Sequence, residues 1–251
     1  MLSSGRRWPV ALAALALTAC SPTPQTPAGP IMVEAGYVLL FNDVLVGNAL
    51  FALEIDPEGN YRIDAFTTPA GQMAQTDGHE VLESSHGVIA ADGVRPLRFD
   101  HSVMAGENIE VGSLEFDRDK HVLRLSSKQA EHGAALLPGT QDRLSYLLTA
   151  RRLAMAGEGS AQITIASTES TEETRLQVAG KEAIDVPLGH YDSVAIRRVT
   201  PKPDVIRALW FDTDLSPLPL RVVHGWAGNT VDMQLESLSP RPPPATPTEN
   251  R

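Results

Sequence analysis

The stretch Phe51–Ala65, with the sequence FALEIDPEGNYRIDA, carries the pattern on which the fold of this chain depends. Its two halves alternate between apolar residues and polar or small ones. The apolar positions that recur every second residue are Phe51, Leu53, Ile55, Tyr61, Ile63 and Ala65. A period of two is typical of a β-strand with one buried face, and the turn-forming segment Asp56–Asn60 separates the halves. The stretch therefore predicts an antiparallel β-hairpin.

The same alternation recurs along most of the chain. A second hairpin is predicted around the turn Asp117–Lys120, and a third around the polar segment Ser167–Glu173. Further alternating apolar positions follow toward the C-terminus at Val194, Ile196, Leu220, Val222, Val231, Met233 and Leu235. Because each such strand presents one apolar and one polar face, we expect a mainly β protein built on an antiparallel sheet.

One segment, Thr140–Ala156 (TQDRLSYLLTARRLAMA), has the period of a helix instead. Its residues spaced three or four apart are Leu144, Leu147, Leu148, Arg151, Arg152 and Met155. We expect one amphipathic helix over about 141–156, with Thr140 as its N-cap and Gly157 just past its end. Its leucines would pack on the sheet.

Four short motifs follow one another along the chain: GVRPLRF at 93–99, GTQDRL at 139–144, IRALWF at 206–211 and LPLRV at 218–222. In this order, the motifs resemble those of a bacterial envelope family catalogued as domain of unknown function 3108, over roughly Gly36 to Leu238. The resemblance implies an antiparallel sheet that faces the periplasm and is curled into an open or spiral barrel. It implies no agreed activity.

A curled sheet of this kind would enclose an apolar concave face. The groove or core candidates for this face are Phe51, Leu53, Leu123, Leu144, Leu148, Ile165, Ile196 and Val222. The space between them is filled either by these side chains and the helix or by a bound ligand. The sequence leaves both alternatives open.

Polar residues at the start of the predicted helix are candidates for a structural clamp between the helix and the sheet. They are Gln141, Asp142 and Arg143, with Arg95 or Asp212 as their expected partners on the strands. We expect these residues to hold the fold together and not to contact a ligand.

No catalytic or metal-binding pattern such as G-x-S-x-G, H-E-x-x-H, a P-loop or an EF-hand occurs in the sequence. The nearest metal candidates are His79, Glu80, Glu83 and His86. On a strand, His86 would lie on the face opposite His79 and Glu83, so these residues would not converge. We therefore predict no catalytic residue, no metal and no cofactor.

The N-terminus reads as an export signal for a lipoprotein. Arg6 and Arg7 precede the apolar run Val10–Leu17, which is too short to span a bilayer but has the length of a signal core. Leu17–Cys20 (LTAC) resembles the bacterial lipobox, which implies cleavage before Cys20 and attachment of acyl chains such as palmitate to that residue. Ser21 in the next position implies the outer membrane.

The proline-rich segments at both ends bound a single folded region. We expect a signal peptide over 1–19, the lipidated cysteine and a spacer over 20–31, one β-rich domain over 32–239, and a disordered tail over 240–251. The net charge is −10 and no cluster of Lys or Arg occurs, which argues against binding to nucleic acid.

These features predict a non-enzymatic periplasmic lipoprotein anchored to the outer membrane through Cys20. We expect its curved groove to bind a lipid, an acyl chain or an apolar segment of a partner protein. The alternative is a structural or assembly scaffold of the cell envelope whose core is filled by its own side chains. A second alternative is a hydrolase acting on cell-wall glycan or lipid.

Overall fold

The computed structural model describes residues 30–76, 78–128, 130–199 and 205–240. The predicted signal peptide, Cys20, most of the spacer, and the tail beyond Pro240 lie outside these residues. The strands of the described residues are β1 (Ile31–Phe41), β2 (Val44–Ile55), β3 (Asn60–Pro69), β4 (Glu80–Ala90), β5 (Gly93–Ala105), β6 (Asn108–Asp117), β7 (Val122–Ser126), β8 (Glu131–Ala135), β9 (Thr140–Gln141), β10 (Ser160–Ala166), β11 (Thr171–Val186), β12 (Gly189–Val199), β13 (Ile206–Phe211), β14 (Arg221–Trp226) and β15 (Asn229–Pro240). The helices are α1 (Met73–Thr76) and α2 (Ser145–Ala156).

All fifteen strands belong to one sheet, in the order β8-β7-β6-β5-β4-β3-β2-β1-β15-β14-β13-β12-β11-β10-β9. The first and last strands pair at its centre, so that β2–β8 form one arm and β14–β9 the other. Neighbours are antiparallel except β9 and β10, which are parallel. The predicted fold class and the three predicted hairpins, β2–β3, β6–β7 and β10–β11, are confirmed.

The sheet curls without closing. At the end of the second arm, the Gln141 side-chain amide donates a hydrogen bond of 2.8 Å to the Val94 carbonyl of β5 in the first arm. Helix α2 contacts β5 on one side and β10 to β13 on the other. Since β9 meets β5 through no β-ladder, the two arms form an open spiral with the helix between them.

A register shift between His86 and Gly87 bends the first arm near this meeting point. The backbone of β5 passes so close to Gly87 that a Cβ atom there would lie 2.7 Å from the Cα atom of Pro96. Only glycine fits this close approach without displacing backbone, so Gly87 allows the bulge that increases the local bend.

The antiparallel register places both ends of the described chain at the same end of the sheet. Ile31 pairs with Ile55, and Val33 pairs with Pro240. We call this the terminal end of the sheet, and it also includes the β4–β5 and β6–β7 turns. The β1–β2 and β14–β15 turns lie at the opposite end.

The predicted helix begins four residues later than expected. Helix α2 starts at Ser145, because Thr140 and Gln141 pair with β10 as the short strand β9. Thr140 therefore is not the N-cap, and its hydroxyl donates a hydrogen bond to the Leu137 carbonyl. The predicted C-terminus is confirmed, since Gly157 has a φ of 72° and its N–H donates to the Leu153 and Ala154 carbonyls.

Candidate functional site

The predicted groove residues form part of one continuous core. Leu53, Leu123 and Ile196 are 0% exposed, and Val222 packs against this core with part of its surface open. The other predicted positions, Phe51, Leu144, Leu148 and Ile165, are at most 8% exposed. A side chain that lined a ligand-sized cavity would leave part of its surface open to a water-sized sphere. The burial of these residues therefore favours the self-filled core over an open groove.

Helix α2 supplies much of this filling, which leads to a direct test. Replacing Leu147 or Leu148 with alanine should lower the free energy of unfolding by about 2–4 kcal/mol, because each change leaves a cavity in a packed core. Both side chains are at most 4% exposed, whereas Met155 on the same helix is 58% exposed. Met155→Ala is therefore the matched control, expected to change stability by less than about 0.5 kcal/mol in chemical denaturation. An equal loss for all three variants would contradict this packing.

Asp142 connects the start of the helix to the sheet. Its carboxylate is fully buried and accepts hydrogen bonds from the Leu144 and Ser145 N–H groups, each 2.8 Å long, and from the Ser85 hydroxyl at 2.7 Å. Ser85 in turn lies 3.2 Å from the Tyr61 hydroxyl. Burial raises the pKa of Asp142, and these donors oppose the rise only in part. The structure thus places Asp142 as a link between α2 and strand β4.

Arg143 lies beside Asp142 but points outward. Its guanidinium pairs with Glu83 and lies 3.0 Å from Nδ1 of His101, which is itself 3.2 Å from the Glu83 carboxylate. Burial alone would raise the pKa of Glu83, but the contacts with His101 and Arg143 outweigh it and hold the pKa below its usual value. This cluster holds the helix start against β4 and β5.

The expected strand partners of the clamp are wrong. Arg95 points to the outer face of β5, since its neighbours Val94 and Pro96 are the buried residues, and it pairs with Asp92. Asp212 accepts hydrogen bonds from the N–H groups of Asp214 and Leu215 within its own turn. The actual partners are Ser85, Glu83, His101 and the Val94 carbonyl. Sequence reasoning missed them because the contacts depend on how the two arms curl together.

The described residues contain no group of three or more His, Cys, Asp or Glu side chains that could hold a metal ion. Of the sequence candidates, Glu83 is occupied by Arg143 and His101, and His86 lies one strand position beyond Ser85. Within the same part of the chain, no helix is both long and apolar enough to cross a bilayer.

A half-open crevice lies where the two arms meet, at the terminal end of the sheet. It has a volume of about 440 Å³ and is lined by residues of β5, the β6–β7 turn, the segment before β9, α2 and β10. We call it the seam crevice, and it contains Val94, Arg118, Leu137, Gln141, Thr149 and Ile163. Nothing in the sequence pattern identified it, because its walls come from separate parts of the chain.

A solved structure supports the fold. The chain is similar to a β-barrel-like protein of domain of unknown function DUF1849 from Brucella abortus, with a TM-score of 0.58 and 14% sequence identity. The match covers 84% of this chain and 98% of that chain. At this identity the likeness concerns the fold alone.

The family comparison agrees with the resemblance suggested by the four motifs. No curated protein matches the chain. The profile of one family, described as protein of unknown function (DUF3108), matches residues 37–236, which is nearly the whole of the folded sheet. The chain therefore belongs to the DUF3108 family.

Proposed function

We propose that this protein is a lipid-anchored, non-enzymatic component of the bacterial cell envelope that acts through its surface as a structural or assembly factor. The observation that carries the proposal is the burial of the concave face by the protein's own side chains. Ligand sites commonly enclose about 300–1,000 Å³ of space lined by partly exposed apolar groups. The residues expected to line such a space are instead packed against one another and against α2.

The arrangement of the termini is compatible with a membrane tether. The ten-residue segment Ser21–Pro30 lies between Cys20 and the start of β1. At about 3 Å per residue, ten residues can bridge at most about 30 Å. A lipid on Cys20 would therefore hold the terminal end of the sheet toward the membrane.

Exposed apolar side chains at the opposite end support contact with a partner. Phe41 and Val44 flank the β1–β2 turn, and the rings of Phe41 and Trp226 have centroids 6.3 Å apart. Val44 is 63% exposed. Neighbouring apolar groups that remain exposed are typical of surfaces that bind other proteins. With the anchor at the terminal end, these residues would face away from the membrane, toward an envelope partner.

The choice between scaffold and carrier can be tested by native mass spectrometry of the protein purified from its own membrane. We expect the mass of the polypeptide with its covalent acyl chains and no additional lipid bound in the core. A stoichiometric non-covalent lipid that survives gentle detergent exchange and is lost in Leu148→Ala would contradict the self-filled core and restore the carrier.

The anchor itself predicts that Cys20→Ser abolishes retention in the outer membrane, because serine offers no thiol for the thioether-linked lipid. The folded sheet begins at Ile31, so the variant should melt like the parent protein. Fractionation followed by immunodetection measures the result, with Ser21→Ala as the neighbouring control that stays in the outer membrane. Recovery of the Cys20→Ser protein in that membrane would refute the anchor.

A further inference from the structure

We propose that the seam crevice binds a phosphate ester that carries a free hydroxyl group, such as a phosphoglycerol headgroup. The binding site is distinct from the self-filled core, because it lies between the two arms of the sheet and opens to solvent. Its polar and apolar walls, its unpaired cation and its position at the terminal end together define this ligand.

The first observation is a concentration of unsatisfied polar atoms. Among the described residues, the buried side-chain atoms without a hydrogen-bond partner are Arg118 Nε, Gln141 Oε1, Thr149 Oγ1, Arg151 Nε and Arg198 Nε. The first three belong to residues that line the seam crevice. Buried polar groups normally have partners, so three unsatisfied ones beside one crevice indicate that something else completes their hydrogen bonds.

Of these three residues, Gln141 gives the strongest evidence for a bound ligand. Its side chain is 2% exposed and is held in place because its Nε2 group donates to the Val94 carbonyl. This contact assigns Oε1 as the free end of the amide, and that oxygen accepts hydrogen bonds only. The missing partner of Gln141 must therefore be a donor, such as a hydroxyl group.

Arg118, in contrast to Gln141, requires a ligand group that accepts hydrogen bonds. It donates one hydrogen bond of 3.3 Å to the Pro96 carbonyl and forms no ion pair with any described residue. Burial, and after it the neighbouring Arg95, lowers the pKa of the Arg118 guanidinium, and Tyr61 and Asp92 oppose this shift only in part. Asp92, the nearby acid, is already paired with Arg95. An anion with several oxygens would satisfy the free donors of Arg118.

Thr149 can serve either partner, because a hydroxyl both donates and accepts. The apolar part of the wall includes Leu137, Pro138 and Ile163, which would contact the carbon atoms of a ligand. A phosphate ester with a hydroxyl group meets all three conditions: anionic oxygens for Arg118, a donor for Gln141, and a short carbon chain between them.

The position of the crevice suggests where this ligand comes from, and this step rests on the proposed anchor. The crevice lies at the terminal end, which the spacer would hold toward the membrane. A bilayer presents phosphoglycerol groups at its surface, and a free metabolite offers the same chemistry in solution. In both cases the crevice would bind the same phosphate ester, and vesicles of different lipid composition distinguish a membrane headgroup from a free metabolite.

Isothermal titration calorimetry of the full-length protein in a neutral detergent, with glycerol 3-phosphate as the probe, tests the site without depending on the anchor. We expect saturable binding with one site per chain. Glycerol alone and inorganic phosphate alone should bind at least about tenfold more weakly, since glycerol lacks the anion, and inorganic phosphate lacks the carbon chain that places a hydroxyl group at a distance from the anion. Absence of heat up to millimolar probe would mean that water fills the crevice, and would overturn the proposal.

Two variants locate the site. Arg118→Gln should weaken binding about tenfold or more, because it removes the cation. Arg124→Gln makes the same change of charge at an arginine that pairs with Glu115 outside the crevice, and should bind like the parent protein. Thr149→Val should bind several-fold more weakly while melting no lower than the parent, since it removes a hydroxyl without a partner. Equal affinity in all three variants would show non-specific attraction and refute the site.

Reconstitution distinguishes the sources of the ligand. In phosphatidylcholine vesicles, the protein should retain its affinity for glycerol 3-phosphate. If phosphatidylglycerol in the vesicles abolishes this titration, the headgroup enters from the bilayer and competes with the probe. If the added lipid leaves the titration unchanged, the ligand is a free phosphate ester. A protein that binds the probe but is released from membranes refutes the anchor and leaves the crevice intact.

Discussion

Replacing Asp142 with alanine is expected to lower the free energy of unfolding by about 3–5 kcal/mol. The carboxylate is fully buried and satisfies the Leu144 and Ser145 N–H groups at the start of α2 and the Ser85 hydroxyl on β4. Alanine would leave the two N–H groups at the start of the helix buried without an acceptor and would leave Ser85 only the Tyr61 hydroxyl as a partner. Urea denaturation monitored by circular dichroism measures the loss.

Asp142→Asn separates the role of shape from the role of charge. The asparagine oxygen can accept from the same two N–H groups, and its amide can donate to Ser85, whose hydroxyl then donates to Tyr61. The hydrogen-bond network reverses direction and leaves one amide hydrogen without an acceptor, so the loss should be about 1–2 kcal/mol near neutral pH. A loss as large as that of alanine would mean that the negative charge itself is required.

The same pair of proteins predicts a pH dependence. Because burial raises the pKa of Asp142 above its ordinary value of 3.8, the folded state binds this proton more tightly than the unfolded state. Stability from this group is therefore greatest below pH 3.8 and declines as the pH rises through the folded pKa. The parent protein should gain stability relative to Asp142→Asn as the solution is acidified toward pH 4. Since Glu83 is present in both proteins, its opposite dependence cancels from the difference.

Local sequence patterns were enough to predict the hairpins and the end of the helix. The alternation in Phe51–Ala65 depends only on which face of a strand is buried, and Gly157 ends α2 through its own backbone conformation. The predicted start of α2 was wrong because Thr140 and Gln141 pair with β10. This pairing joins segments more than twenty residues apart in the sequence. Tertiary pairing at this point overrides the local helical period.

The contacts of the candidate site depend even more on tertiary structure, and local sequence patterns predicted them less well. The sequence indicated that Gln141, Asp142 and Arg143 act at the junction of helix and sheet, because of their position beside the helical segment. Their partners Ser85 and Val94 come from strands about fifty residues earlier. The curl of the sheet brings these strands together, and no short-range pattern encodes it. For the same reason the seam crevice could not be predicted, although two of its polar residues lie in or near α2.

The adjacent aromatic residues Trp210 and Phe211 offer the second large expected effect, because they occupy opposite faces of β13. Phe211 is 0% exposed in the core, and its replacement with alanine should lower the free energy of unfolding by about 3–5 kcal/mol through the cavity left behind. Trp210 is only partly buried. Its ring centroid is 5.4 Å from the Arg221 guanidinium, and its indole N–H donates to Glu182.

Trp210→Ala should therefore cost only about 1–2 kcal/mol, although it removes the larger side chain. Chemical denaturation of both variants measures the two losses, and an unchanged slope with denaturant would show that each variant unfolds from an equally compact state. An aromatic residue on the outer face requires a cover, and here charged side chains of the same sheet provide it. If Trp210→Ala instead costs as much as Phe211→Ala, the outer face around Trp210 is packed like a core.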